Sequence, residues 1–253
     1  MSDYYFIKNN DSPLGYDPVL LEDWSKAVER IAARRGVRIT QSMILRELGL
    51  GKKKAARRKK RTHLYIDGTN LFAGQNELFG PKAYVPFSNL LRDIRKIYAV
   101  NHVFFYASYM VAANFNKPGR KALAAVEAQF YRSVKDTSNV TFYRGHRSPT
   151  SGKEKGVDVH LAVDMVRDAF LRRYGEAVVM SGDADLSYAV EVVRKLGTPI
   201  YAIFLSNRFS LGLAYAAGSS VVLNYKERFS KPEGAPRSLR VVAQKDPTCK
   251  HVG

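Results

Sequence analysis

The 253-residue sequence contains a single cysteine, Cys249, so the chain alone forms neither an intrachain disulfide nor a cysteine-rich zinc site. It also lacks an apolar run of the roughly 18 residues that a membrane-spanning helix requires. Residues Met1 to Asn10 do not show the basic-then-apolar pattern of a secretory signal. These absences favour a reducing compartment, and we expect a cytoplasmic protein that makes no use of a membrane.

Acidic residues are scarce relative to basic ones. The chain has 23 Asp and Glu against 41 Lys and Arg, which gives a net charge of +18 and a pI near 9.9. So large a surplus predicts a polyanionic partner, most often a nucleic acid. The apolar fraction of 45% is sufficient for a hydrophobic core, and the length fits one domain with an appendage.

The N-terminal residues 1–51 are predicted to form a small helical appendage. Asp17 followed by Pro18 is typical of a helix start, and apolar residues then recur at helical spacing as far as Ile31. A second short helix is expected from about Thr40 to Leu48. The pair could be a DNA-reading helix-turn-helix, or a helical hairpin that packs on the main domain or mediates association.

Residues 52–61 form a basic linker with the sequence KKKAARRKKR. Charges at this density repel one another, which predicts an extended segment. Such a run attracts phosphates regardless of base sequence, so RNA is the expected partner and DNA a second candidate; a solvated linker is the alternative. The expected nucleic-acid-binding residues are Lys52, Lys53, Lys54, Arg57, Arg58, Lys59, Lys60 and Arg61.

From residue 62 to residue 225, strand-like and helix-like runs alternate. This alternation predicts an α/β domain with a mainly parallel sheet and helices on both faces. The tail, residues 226–253, is basic and rich in proline, and we expect it to be loosely ordered. The strand-like runs are Leu64 to Ile66, Val103 to Tyr109, Val140 to Tyr143, Ala177 to Met180, Ile200 to Leu205 and Val221 to Leu223. The helix-like runs are Phe87 to Tyr98, Lys117 to Lys135, Val157 to Tyr174, Leu186 to Leu196 and Arg208 to Ala217.

Three short segments place acidic residues at strand ends or helix starts. Asp67 follows an apolar strand, Asp158 opens a helix, and Asp183 and Asp185 follow the strand Ala177 to Met180. Sites in open α/β sheets form beyond the carboxyl ends of the strands, so these four side chains are expected to converge there. Clustered carboxylates repel, and Mg²⁺ or Mn²⁺, which prefer oxygen ligands, would remove that cost.

Structural roles compete with this interpretation. Asp67 or Thr69 could cap a helix, Asp158 could interact with a helix dipole, and Asp185 occupies the natural N-cap position of the following helix. Asp164 is a fifth candidate ligand, but it shares a helix stripe with His160 and Asp168 that resembles a solvated face. Capping does not explain Asp183.

Several polar and basic residues near the acids are candidates for substrate binding. Asn70 could orient Asp67 or a bound phosphate, and the loop from Arg144 to Lys155 precedes Asp158 directly, where it could contact a phosphate backbone or be a mobile surface loop. The complete set of candidate substrate-binding residues is Asn70, Thr69, Lys155, Ser181, Arg144 and Arg147.

The three segments together resemble the NYN domain, specifically its LabA-like branch, within the PIN-like nuclease group. Asp67 and Asn70 match the family's opening strand, Lys155 to Val159 its middle helix start, and Ser181 to Asp185 its "Ser-Gly-Asp-x-Asp" turn. Asp164 matches an acid found six residues after the helix-start Asp. The resemblance implies a three-layer α/β/α sandwich and metal-dependent cleavage of RNA, with endonucleolytic cleavage as our expectation.

The implied mechanism uses one or two Mg²⁺ or Mn²⁺ ions to activate water and to neutralise charge on the scissile phosphate. It needs no protein nucleophile, which fits the lack of a Ser/His/Asp or Cys/His constellation. The competing functions are a catalytically inactive RNA-binding module and a nucleic-acid-binding regulator with a DNA-reading appendage. Divalent-ion binding discriminates the enzyme from both; the sequence leaves the RNA substrate and the oligomeric state open.

Overall fold

The computed structural model describes residues 4–8, 16–32, 43, 61–109, 119–147, 154–245 and 247–251. The chain divides into two compact units, residues 1–60 and residues 61–253. None of the helices among the described residues combines the length and the apolar composition that crossing a bilayer requires.

The described residues of the N-terminal unit include a two-stranded antiparallel sheet and a helix. Strand β1 (Tyr4–Lys8) pairs with β2 (Tyr16–Leu20), and helix α1 (Leu21–Ala32) follows directly. The predicted helix start at Asp17 was therefore wrong. Pro18 lies within β2, where a proline is tolerated because this two-stranded sheet has only edge strands. The second predicted helix and residues 52–60 of the basic linker lie outside the described residues, apart from Met43.

The second unit alternates strands and helices as predicted. Its elements are β3 (Thr62–Asp67), α2 (Gly68–Phe79), β4 (Ala83–Tyr84), α3 (Phe87–Arg95), β5 (Val100–Ala107), α4 (Arg120–Lys135), β6 (Val140–Arg144), β7 (His146–Arg147), β8 (Glu154–Lys155), α5 (Val157–Phe170), β9 (Glu176–Met180), a 3-10 helix (Ala184–Leu186), α6 (Ser187–Lys195), β10 (Ile200–Leu205), α7 (Leu211–Ala216), β11 (Ser219–Asn224), a second 3-10 helix (Tyr225–Glu227), β12 (Leu239–Ala243) and β13 (Lys250–His251).

Seven strands form one parallel sheet in the order β12-β11-β10-β9-β3-β5-β6. The chain builds outward from β3 through β5 to β6, then returns to the other side of β3 with β9 and continues to β12. The direction of winding therefore reverses between β3 and β9. Ligands of open α/β sheets bind at such a reversal, beyond the carboxyl ends of the two strands.

Two hydrophobic cores lie on opposite faces of the sheet, which confirms the three-layer sandwich. Leu64 and Ile66 of β3 face one core, which includes buried residues of α2, α3 and α4. Tyr65, between them, faces the other core, which includes buried residues of α5, α6 and α7. The alternation follows from the two-residue period of a strand, and burial on both faces explains why the strands are almost continuously apolar.

Helix α2 and the strands of the tail were not predicted. Helix α2 was missed because Gly68 and Gly74 lower helix propensity and interrupt its apolar spacing. The tail was expected to be loosely ordered, but Leu239–Ala243 pairs in parallel with β11 as the seventh strand, and β13 pairs with β4. A five-residue edge strand has too short a pattern to stand out in a proline-rich segment.

A buried carboxylate on α5 fixes this helix to the centre of the sheet. Asp168 is only 1% exposed; its Oδ2 accepts a hydrogen bond from the Tyr65 hydroxyl (3.0 Å), and its Oδ1 accepts one each from Arg167 and Arg173 (3.0 Å each). Burial and the nearby charge of Asp168 raise the pKa of Tyr65 above its usual range. The predicted solvated face was therefore wrong at Asp168, which faces the sheet.

The Tyr65→Phe variant should lower the free energy of unfolding by about 2 kcal/mol, because it removes a hydrogen bond to a buried charge. Tyr174→Phe is the matched control: it removes a buried hydroxyl that donates to the neutral carbonyl of Met165 (2.7 Å), and it should cost about 1 kcal/mol. Urea denaturation of both variants measures the difference. Equal losses would show that the charge of Asp168 does not contribute.

Candidate active site

Asp67 ends β3 and caps α2. It is 8% exposed; its Oδ1 accepts a hydrogen bond from the backbone N–H of Asn70 (3.0 Å), and its Oδ2 accepts one from the hydroxyl of Ser181 (2.9 Å). The cap that the sequence offered as an alternative role is present, and the same carboxylate also reaches the loop after β9. A Cβ on the next residue, Gly68, would lie 2.1 Å from the Phe105 ring, so only glycine fits there.

The Ser-Gly-Asp segment after β9 is held to the end of β3 by side-chain hydrogen bonds. The Ser181 hydroxyl, which donates to Asp67, accepts from the backbone N–H of Asp183 (3.0 Å). The Asn70 Oδ1 accepts from the backbone N–H of Gly182 (3.0 Å). Asp67, Asn70, Ser181 and Asp183 thus form one network across the point where the sheet reverses.

Asp183, and not Asp185, caps the helix that follows β9. The Asp183 Oδ1 accepts from the backbone N–H of Asp185 (3.0 Å), and Asp185 lies in the first turn with an exposed side chain. The assignment of the capping role to Asp185 was wrong, and so was the expectation that capping does not explain Asp183, because the helix begins with a 3-10 turn two residues earlier than expected. Both acids nonetheless lie at the same strand end.

Asp158 and Asp164 lie on α5 and have different surroundings. Asp158 is exposed in the first turn, beside Val157, whose side chain fills the space that a Cβ on Gly145 would need. Asp164 accepts a hydrogen bond from the Tyr106 hydroxyl (2.9 Å) and pairs with Arg167 (2.7 Å). Burial, together with the charge of Asp164, raises the pKa of Tyr106. Asp164 therefore contacts the sheet and does not lie on a solvated stripe.

The candidate substrate-binding residues of the loop before α5 lie on or beside a short ribbon. Strands β7 and β8 pair antiparallel, with Arg147 opposite Glu154 and Lys155 opposite His146. Arg144, at the end of β6, is exposed, with its guanidinium 5.2 Å from the centre of the Tyr109 ring. Thr69 is half-buried at the start of α2.

A third strand end, which the sequence pattern did not single out, lies beside these residues. Arg208 follows β10 and lines a small cleft together with Asn70, Ser181 and Gly182. A Cβ on Gly182 would lie 2.6 Å from the Arg208 carbonyl oxygen, so the two loops pack closely. The sequence does contain a signal that could have identified Arg208: the polar segment Ser206 to Arg208 directly follows an apolar strand, as the segments at Asp67 and Asp183 do.

The acidic side chains suit a magnesium-like ion by ligand type. No group of three or more His, Cys, Asp or Glu among the described residues is close enough to form a metal site alone. Mg²⁺ is usually bound by one or two carboxylates plus waters and substrate phosphates, without an all-protein cage. Asp67 and Asp183, which are linked through Ser181, are two carboxylates of the type that such a site uses.

A family model supplies the identification. The model of the NYN domain matches residues 61–223, which span β3 through most of β11 and contain every acid described above. The chain belongs to the NYN domain family. Members of this family are generally nucleases and typically use divalent metal ions, so nuclease is the coarse functional assignment. The match does not distinguish the LabA-like branch, which stays a prediction.

Comparisons with individual proteins add little. No curated protein matches the chain. A protein of unknown function from Vibrio parahaemolyticus is 16% identical, with a TM-score of 0.48 over 67% of this chain and 96% of its own. A nicotinamidase from Staphylococcus aureus is 15% identical, with a TM-score of 0.28 over 62% of this chain and 89% of its own. Similarities at this level carry no functional conclusion.

The Ser181→Ala variant should lower the free energy of unfolding by about 2 kcal/mol, because Asp67 loses a buried donor and the N–H of Asp183 loses its acceptor. Ser187→Ala is the matched control: its hydroxyl is buried on α6 without a hydrogen-bond partner among the described residues, so its removal should cost less than about 0.5 kcal/mol. Chemical denaturation tests both. Similar values for the two variants would contradict a linking role for Ser181.

Proposed function

We propose that this NYN domain is a metal-dependent ribonuclease that hydrolyses phosphodiester bonds at the carboxyl edge of the sheet. The observation that carries the proposal is the network that joins Asp67 to Asp183 through the Ser181 hydroxyl. It joins the carboxylate of Asp67 to the backbone N–H of Asp183 across the reversal point of the sheet, within the region that matches the family model. Endonucleolytic cleavage is part of the proposal.

Asp67 and Asp183 are the proposed primary ligands of Mg²⁺ or Mn²⁺. Asp158 and Asp185, which are exposed, are proposed to complete the set with waters and substrate oxygens, and Asp164 is a fifth candidate. A bound divalent ion supplies an acidified water and neutralises charge on the phosphate. The protein contributes ligand placement: both oxygens of Asp67 accept hydrogen bonds, so its carboxylate has a fixed orientation before substrate arrives.

RNA is the proposed substrate. The net charge of +18 favours a polyanion, and the exposed Arg144 beside the β7–β8 ribbon carries part of it near the start of α5. Asn70, Thr69 and Ser181 lie at the strand ends where a phosphate would approach the acids. The basic residues 52–61 are proposed to add sequence-independent contacts with the RNA backbone.

A second candidate function is an RNA-binding module that does not cleave. The observation in its favour is that the described acids do not form a three-ligand group by themselves. Binding of RNA in EDTA is expected for both functions, whereas saturable Mn²⁺ binding and metal-dependent cleavage are expected only for the enzyme.

The Asp183→Asn variant should abolish RNA cleavage and keep the fold, because the amide retains an oxygen for the cap but loses the charge that binds a metal. The assay is incubation of RNA with Mn²⁺, with EDTA as the control. Asp136→Asn, an exposed carboxylate at the end of α4, should keep wild-type activity. Full cleavage by Asp183→Asn would refute the metal-site assignment.

Replacing the eight basic residues of segment 52–61 with glutamine should weaken RNA binding most at low salt and flatten the dependence of affinity on salt. Each lost phosphate contact should reduce the slope by about 0.7 for a single strand. Equilibrium titrations at several salt concentrations measure this, and turnover of saturating RNA should stay unchanged. Parallel slopes for the two proteins would show that the segment makes no phosphate contacts and would leave a role as a linker or in docking a partner.

A further inference from the structure

Arg208 lies at the candidate active site with a partner on α2. Its Nη2 group donates to Oε1 of Glu77, and the neighbouring Asn207 amide donates to Oε2 of the same carboxylate (2.9 Å) and to the carbonyl of Gly74 (3.0 Å). The guanidinium is therefore tied to the helix that Asp67 caps, at the cleft lined by Asn70, Ser181 and Gly182.

The arrangement leaves part of Arg208 unsatisfied. Its Nε group is buried and has no hydrogen-bond partner among the described residues. A buried donor without an acceptor is unfavourable, particularly on a charged group. The backbone cannot easily move to relieve this, because the segment packs against Gly182 and Gly74, where a Cβ would come within 3.0 Å of Arg208 atoms. The side chain of Arg208 is therefore the part that can move to a different hydrogen-bond partner.

We propose that Arg208 is a phosphate-binding residue of the nuclease site, and that a phosphodiester of the nucleic acid replaces Glu77 as its partner. This inference rests on the proposed function and adds a residue and an exchange step to it. Because Nε is buried while Arg208 is paired with Glu77, the side chain must turn before a phosphate can accept from Nε and Nη2 together, a bidentate geometry that the planar guanidinium favours. Bound substrate would thus satisfy the donor that Glu77 leaves unpaired.

The solvent exposure of Glu77 and Arg208 is compatible with the exchange of Glu77 for a phosphate. The Glu77 side chain is 54% exposed, so its carboxylate can be hydrated when it is released, whereas the Arg208 side chain is 30% exposed. Glu77 also retains the hydrogen bond from the Asn207 amide. In the absence of nucleic acid, the carboxylate neutralises the guanidinium and competes with a phosphate for it. Glu77 therefore lowers the affinity for RNA.

The test measures the binding of a short, fluorescein-labelled single-stranded RNA in EDTA, with full-length protein at several salt concentrations. Arg208→Ala should weaken binding about tenfold and reduce the salt slope by about 0.7. Arg208→Lys keeps the charge but loses the bidentate geometry, so it should restore the slope and only part of the affinity. Glu77→Gln should tighten binding, an effect that should disappear in the Arg208→Ala background.

Arg132→Ala is the matched control, because Arg132 is exposed in the last turn of α4, at the opposite edge of the sheet. Its slope and affinity should equal those of the wild type. Unchanged binding by Arg208→Ala, or a loss equal to that of Arg132→Ala, would overturn the phosphate-binding role. Weaker binding by Glu77→Gln would overturn the exchange. If the proposed nuclease function is wrong, the result is a different one: the wild-type protein binds RNA but does not cleave it in the presence of Mn²⁺.

Discussion

The hydrogen bond from the Ser181 hydroxyl to the Asp67 carboxylate (2.9 Å) is the contact on which the site depends. It joins the ends of β3 and β9, the two strands between which the sheet changes its winding direction. The same hydroxyl accepts from the N–H of Asp183, so one buried side chain positions acids from both strands. The Asn70 amide makes a second link, to Gly182. The side chains of Asp67, Asn70 and Ser181 thus have hydrogen-bond partners before any ligand binds.

The layers beneath the site provide the rigidity that this network needs. Tyr65 and Asp67 belong to the same strand and point to the same face of the sheet. Tyr65 holds α5 through Asp168, and Tyr106, which lies beside Asp67 in register, holds α5 through Asp164. The start of α5, which carries Asp158, is therefore fixed relative to the strand that carries Asp67. Both contacts are hydrogen bonds to carboxylates, which are stronger than those between neutral groups.

The layered architecture was predictable because buried parallel strands are long apolar runs and alternate with helices. The rule that sites form beyond the carboxyl ends of strands also identified Asp67 and Asp183, because each follows its own apolar strand closely in sequence. Contacts between elements were not predictable in this way. Asp168 was assigned to a solvated stripe because its burial depends on Tyr65, more than 100 residues away in sequence. Arg208 was overlooked because its relevance depends on the close approach of Gly182 and Glu77. The strand β12 depends on pairing with β11, which a short proline-flanked pattern does not reveal.

The central claim is that the Asp67–Ser181–Asp183 network forms a divalent-ion site that serves RNA cleavage. Titration of the protein with Mn²⁺, followed by electron paramagnetic resonance of the free ion, measures binding independently of turnover. The account predicts saturable binding to the wild type and loss of that binding, together with RNA cleavage, in Asp67→Asn. Mn²⁺ binding and cleavage that both survive in Asp67→Asn, with the fold intact, would contradict it.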